Sequence, residues 1–266
     1  MLGKLIKHEW KAVSKPLIIM HLALILMAVI GKILLSIKVL KQADLLWATL
    51  LMVYILSVIA VGIGTQIYLA VRFYKNMYTD EGYLSFTLPV KPWEHIFSKT
   101  LISFIWILID GIAIILSIFI LVMYKGMGTE FIQEFSEMIE VFSGEGVNMV
   151  VLTIRMLLSG ILSLVSIPLM YYFSISIGQL FNTHKMIASV VVYFITTNVI
   201  QVISAVVSAL LMKNVSYMEE EIVTSQSMMS GIFNGIIDLG ILGSILMCVG
   251  FWLVTNYIMN KRLNLE

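Results

Sequence analysis

The chain has 266 residues, 60% of them hydrophobic and 12% charged, where an ordinary soluble domain is about a quarter charged. Its apolar residues fall in long uninterrupted runs of the kind that span hydrocarbon, which excludes a soluble fold. A formal net charge of +1 excludes a global field that would draw nucleic acid, and the single cysteine, Cys248, excludes a disulfide framework or a cysteine-built metal site within one chain.

In chain order, residues 2–15 place Leu2, Leu5, Ile6, Trp10 and Val13 on one side of a helix, within about 140° at about 100° per residue. Lys4, Lys7, Lys11 and Lys15 fill the other side. This predicts an interfacial helix lying on the anionic inner leaflet. No small-residue cleavage pattern follows, so no cleavable signal peptide is expected. Pro16 introduces a first span, 16–37, with Lys32 near its outer end, where the ammonium reaches the headgroups. A polar link with Lys38, Lys41 and Asp44 precedes the second span, 45–70. The mixed stretch 71–99 leads to the third span, 100–123.

Residues 124–149 are acidic, with Glu130, Glu134, Glu137, Glu140 and Glu145, and repeat Phe131, Phe135, Met138 and Phe142 at helical spacing. They predict an outer amphipathic helix. The fourth span, 150–180, carries Pro168 near its middle, which predicts a kink. A polar turn, Asn182 to Lys185, precedes the fifth span, 187–211. The link 212–235 holds Glu219, Glu220 and Glu221, and the sixth span is 236–258. The predicted fold class is all-α: a polytopic membrane protein with six transmembrane helices in one transmembrane domain, 1–266.

Orientation follows from the basic residues. Eleven of the 17 Lys and Arg fall on the side shared by the N-terminus, the 71–99 stretch, the 182–185 turn and the C-terminus. Both termini are therefore expected in the cytoplasm.

Motifs exclude more than they assign. There is no G-x-x-x-x-G-K-[ST] phosphate loop and no soluble segment large enough for a nucleotide-binding domain, so ATP-driven work would need another chain. H-E-x-x-H and G-x-S-x-G are also absent, and His8, His21, His95 and His184 are scattered singly, as interfacial or capping residues are. Asp110 falls about 15 Å from the inner end of its span and Asp238 near the outer end of the sixth, so the two carboxylates cannot share a proton as in an intramembrane aspartyl protease.

Asp110 at midspan still needs a partner. An intramembrane carboxylate faces a pathway by default, and the alternative is an internal hydrogen bond to a Ser or Asn of a neighbouring helix. Gln66, Asn198 and Gln201 join Asp110 as candidate path residues, and like Gln179 they equally suit helix-to-helix hydrogen bonds. Arg155 and Asp238 both fall near the outer surface, where they can pair.

The stretch R72-F-Y-K-N-M-Y-T-D-E-G-Y-L-S-F-T-L-P-V-K-P-W-E-H-I-F-S-K99 is the most informative. Its D-E-G turn and T-L-P break predict a short amphipathic helix followed by a return to the membrane. Phe73, Tyr74, Tyr78, Tyr83, Leu84 and Phe86 are too apolar for a solvated loop and suit a partner surface.

With the basic N-terminal helix, the six-span layout and D80-E-G-Y-L-S-F-T-L-P-V90 followed by Ser98-Lys99, the chain resembles the permease subunits of type-2 ABC exporters. The resemblance covers essentially the whole chain. It implies that residues 71–99 form a cytoplasmic coupling loop, with Arg72, Phe73, Tyr74, Asp80, Glu81, Gly82, Tyr83, Leu84 and Phe86 at the contact with a separate ATPase subunit. It further implies a second permease chain, identical or related, and a bacterial cell-membrane location. The cargo implied is an amphipathic molecule such as an antimicrobial peptide or a drug. This chain would then bind no cofactor and hydrolyse nothing, since ATP and Mg would sit in the partner ATPase. Two other readings stay open: an ion-coupled secondary transporter or channel using Asp110, and a non-transporting membrane scaffold or sensor.

Overall fold

A computed structural model of the chain describes residues 1–36, 44–122, 132–134, 136–137, 149–216 and 225–261. Lys38 and Lys41, most of the acidic stretch 124–149, and Glu219 to Glu221 lie outside the described residues. The helices are α1 (Leu2–Ser36), α2 (Asp44–Tyr78), α3 (Asp80–Thr87), α4 (Pro92–Val122), α5 (Met149–Gly178), α6 (Lys185–Ser216) and α7 (Ser225–Lys261). All but α3 are long and apolar enough to cross a membrane, and no strand occurs among the described residues.

The six long helices have 30 to 37 residues, or about 45–55 Å at ~1.5 Å per residue, against a hydrocarbon core of about 30 Å. The apolar runs therefore mark only the middle of each helix. The helical backbone satisfies its own hydrogen bonds and continues past the apolar run into polar sequence.

Segment 2–15 shows this most clearly and departs from expectation. It is not a separate helix lying on a surface, because α1 runs unbroken through Pro16. Proline at that position removes one backbone bond, to the Ala12 carbonyl, and the remaining turns hold. Glu9 and Val13 are buried, and the buried positions continue through Leu17, His21, Leu24 and Ala28 at spacings of three or four. Pro168 likewise lies inside α5, which is helical from Met149 to Gly178.

Proline chemistry also sets the ends around α3. Leu88, ahead of Pro89, is extended at φ −67° and ψ 141°, as the residue before a proline must be. Pro92 opens α4, where its missing N–H costs nothing, and the Lys91 N–H donates to the Glu94 carboxylate at 2.9 Å. Asp80 and Glu81 place negative charge in the first turn of α3, where the helix dipole is positive. The turn between α5 and α6 uses His184 in the left-handed region, φ 53°.

The chain divides into two compact units. The first comprises residues 1–73 and 89–135, the second 74–88 and 136–266. In the first unit α1 and α4 run parallel: Trp10 stacks on Trp106 with centroids 5.2 Å apart, and Gly31 admits Leu121 closely. The part of α2 in this unit runs antiparallel to both, with Gly64 beside Met20 and the Tyr54 hydroxyl 2.7 Å from the Ser117 hydroxyl.

In the second unit α5 packs against both α7 and α6. Phe173 and Phe251 meet at 4.8 Å, and Cys248 Sγ lies 3.7 Å from the Leu162 carbonyl, so α5 and α7 run parallel. The antiparallel α5–α6 pair closes at Gly178, where an added Cβ would fall 2.0 Å from Ser189 Oγ and 2.7 Å from the Ser189 backbone. Along α6 the apolar side chains Met186, Ile187, Val190, Phe194, Val202 and Val206 are exposed. Such a helix suits an apolar surrounding and not water.

Candidate functional site

The first unit carries two polar clusters, each taking one side chain from each of its three helices. At one end Glu9 of α1 sits between Lys99 of α4 and Arg72 of α2. Lys99 Nζ donates to Glu9 Oε1 at 2.6 Å, and Arg72 Nε donates to Glu9 Oε2 at 3.2 Å. The Lys99 and Glu9 side chains are only 4% and 9% exposed, so their attraction acts at reduced dielectric. One carboxylate faces two cations, and the clasp carries an excess positive charge.

The second cluster lies deeper. Asp110 Oδ1 is 3.1 Å from His21 Nε2 of α1, and the Thr65 hydroxyl of α2 approaches the same oxygen at 3.5 Å. The other nitrogen of the ring, His21 Nδ1, is 2.6 Å from the Leu17 carbonyl. The Trp106 ring is tilted 43° to the imidazole, with centroids 5.9 Å apart. Both Asp110 and His21 are buried. Gly62 leaves space on the α2 side, since a Cβ there would come within 3.9 Å of Asp110 Oδ2.

Asp110 was open between a pathway and an internal partner, and its described partners are His21 and Thr65. His21 was expected at an interface or cap, and Thr65, Glu9 and Lys99 were not singled out. Depth carries the missing signal. Counted from Leu2 and Pro92, His21 and Asp110 both lie about 27–29 Å along their helices, and Glu9 and Lys99 both about 10 Å, at ~1.5 Å per residue. That match is visible only when α1 is counted from Leu2 instead of from Pro16.

The other candidate path residues are placed differently. Gln66 is half-buried beside Thr65 on α2. Asn198 and Gln201 belong to α6 in the second unit and are exposed, and the Asn198 amide donates to the Phe194 carbonyl of its own helix at 2.7 Å. Arg155 and Asp238 meet across α5 and α7, with Arg155 Nη1 3.6 Å from Asp238 Oδ1 and 3.1 Å from Asn234 Oδ1.

The nine residues implied at an ATPase contact divide as well. Arg72 is engaged by Glu9 and Phe73 is 1% exposed, so neither offers a free surface. Within the second unit, Asn76 donates to Glu81, and the Tyr78 hydroxyl donates to Ser176 Oγ at 2.7 Å, tying the end of α2 to α5. Gly82 is buried, Tyr74 and Phe86 are half-buried, and Asp80 and Glu81 are exposed. Tyr83 and Leu84 stand out at 56% and 73% exposed. Of the nine, Asp80, Glu81, Tyr83 and Leu84 are exposed, and Tyr83 and Leu84 are the apolar pair among them.

The helices and their buried polar clusters define an all-α, polytopic membrane protein. Among the described residues no group of His, Cys, Asp and Glu could hold a metal ion. No protein-family model, curated protein or solved structure matches the chain.

Proposed function

We propose that this chain is the membrane-spanning permease subunit of a type-2 ATP-binding-cassette exporter. The observation that carries the reading is α3: a helix of eight residues between two spans, acidic at its start and presenting Tyr83 and Leu84 outward. Apolar side chains that far exposed on a short helix suit a protein groove. The bond from Tyr78 to Ser176 gives that helix a stiff base, as a lever needs.

In this reading α3 faces the cytoplasm and seats on a separate ATPase subunit, which holds ATP and Mg. Two permease chains pair, and closure of the ATPases shifts the spans between inward-open and outward-open populations. The cargo is an amphipathic molecule of the antimicrobial-peptide or drug class. The test is co-expression with the ATPase encoded beside this chain. Replacing Tyr83 by Ala together with Leu84 by Ser should abolish co-purification of the ATPase while the spans still insert. Undiminished association would overturn the reading.

A second reading is favoured by Asp110 itself, buried against His21 inside the first unit. In an ion-coupled carrier, transport would persist without any ATPase and vanish in Asp110→Asn.

A further inference from the structure

We propose that His21 and Asp110 form a proton-binding site that links α1 to α4, with one proton held between His21 Nε2 and Asp110 Oδ1. The inference rests on the geometry of the pair and stands apart from the ATPase reading.

Hydrogen-bond inventory carries it. The Leu17 carbonyl can only accept, so His21 Nδ1, 2.6 Å from it, bears hydrogen. If the ring is neutral, Nε2 is then a lone pair. A lone pair 3.1 Å from a carboxylate oxygen is repulsive, and more so away from water. The two atoms stand 3.1 Å apart but out of line for a completed hydrogen bond, and Nε2 has no other hydrogen-bond partner; one proton placed between them, as imidazolium with carboxylate or as imidazole with carboxylic acid, removes both the repulsion and the net charge. Either way the pair is neutral as a unit, which is how two ionisable groups persist inside a span.

Among the described residues no other charge sits at this level. From α1 the site faces His21, and from α2 it faces Thr65, whose hydroxyl contributes no charge. The nearest further titratable groups on these helices are Tyr68, one turn from Thr65, and the exposed Lys15, six residues before His21, and then Arg72, Lys11, Tyr54, Lys32 and Glu9; on α4 the next is Lys99. When the proton leaves to bulk water, a carboxylate faces a lone pair, the attraction becomes repulsion, and α1 separates from α4 at this level.

The test is a spin-label distance between Leu26→Cys and Ile115→Cys, both exposed, in the full chain with Cys248→Ser, reconstituted in phospholipid nanodiscs. The expected result is a distance distribution that lengthens or broadens as pH is raised from 5 to 9. Asp110→Asn should hold the short distance throughout, because the amide is uncharged over the whole range and can donate to a bare Nε2 or accept from a protonated one. His21→Gln should likewise lose the pH response, its amide donating to the Asp110 carboxylate, whereas His8→Gln should keep it. A distance unchanged over the whole range in the parent chain would overturn the proposal, as would an Asp110→Asn chain that responds like the parent.

Discussion

Glu9 is an acidic residue in a basic segment, and it decides how that segment packs. Its two oxygens are divided between Lys99 and Arg72, so α1, α2 and α4 are joined through one carboxylate. Removing one member of a buried charge pair leaves the other without compensation, which costs about 3–5 kcal/mol. Glu9→Ala should therefore lower the melting temperature of the purified chain substantially, with Lys99 as the stranded charge. The double substitution Glu9→Ala with Lys99→Met should recover part of the loss, because the desolvated ammonium is gone. A double variant no more stable than Glu9→Ala alone would show that the clasp is a surface contact. Asp110 was legible as a residue in need of a partner because carboxylates at midspan are rare. Its partner was not, since the chain's four histidines are isolated in sequence and only depth in the folded unit aligns one of them.

At the scale of elements, two contacts in the second unit make distinct predictions. The α5–α6 pair approaches so closely at Gly178 that a Cβ would collide with the Ser189 backbone as well as its hydroxyl. Gly178→Ala should cost about 1–3 kcal/mol, the usual range for overpacking, and Ser189→Gly should not restore it, because backbone atoms at 2.7 Å remain in the way. Full rescue in the double variant, read as thermal stability in detergent, would place the conflict in the hydroxyl alone. The brace from Tyr78 to Ser176 is a milder contact, since the Ser176 hydroxyl still donates to the Tyr172 carbonyl at 2.7 Å. Tyr78→Phe should cost about 1 kcal/mol. If α3 is a lever, Tyr78→Phe should leave the ATPase bound but reduce cargo-stimulated hydrolysis, and unchanged stimulation would argue against that role.

The same elements show what periodicity and hydropathy can convey. All six spans were legible because a bilayer demands about 20 apolar residues whatever the fold. Helix ends were not: α1 begins fourteen residues before the expected span and α2 ends eight after it, since hydropathy records where lipid stops and not where backbone hydrogen bonding stops. The short α3 was legible from its turn residues and the prolines that follow. Arg72 and Phe73 were grouped with it because they are near in sequence, but they occupy the last turns of α2, where burial and Glu9 claim them.

At the scale of the whole molecule, each unit fixes which chain ends share a side. In the first, the parallel α1 and α4 and the antiparallel α2 bring Gly3, Phe73 and Pro92 to one end. In the second, the tie between Tyr78 and Ser176 and the parallel α5 and α7 bring α3 and Lys261 to one end. In the proposed exporter those ends face the cytoplasm, the side that the bias of Lys and Arg favours. With Cys248→Ser as background, single cysteines at Gly3, Tyr83 and Lys261 should react with a membrane-impermeant maleimide in inverted vesicles and stay protected in intact cells. A cysteine at Val150, exposed at the opposite end of α5, should show the reverse pattern. Labelling of Tyr83→Cys from outside would remove α3 from any cytoplasmic motor, and the exporter reading would fall with it. Protection of Lys261→Cys together with labelling of Gly3→Cys would instead break the even number of crossings.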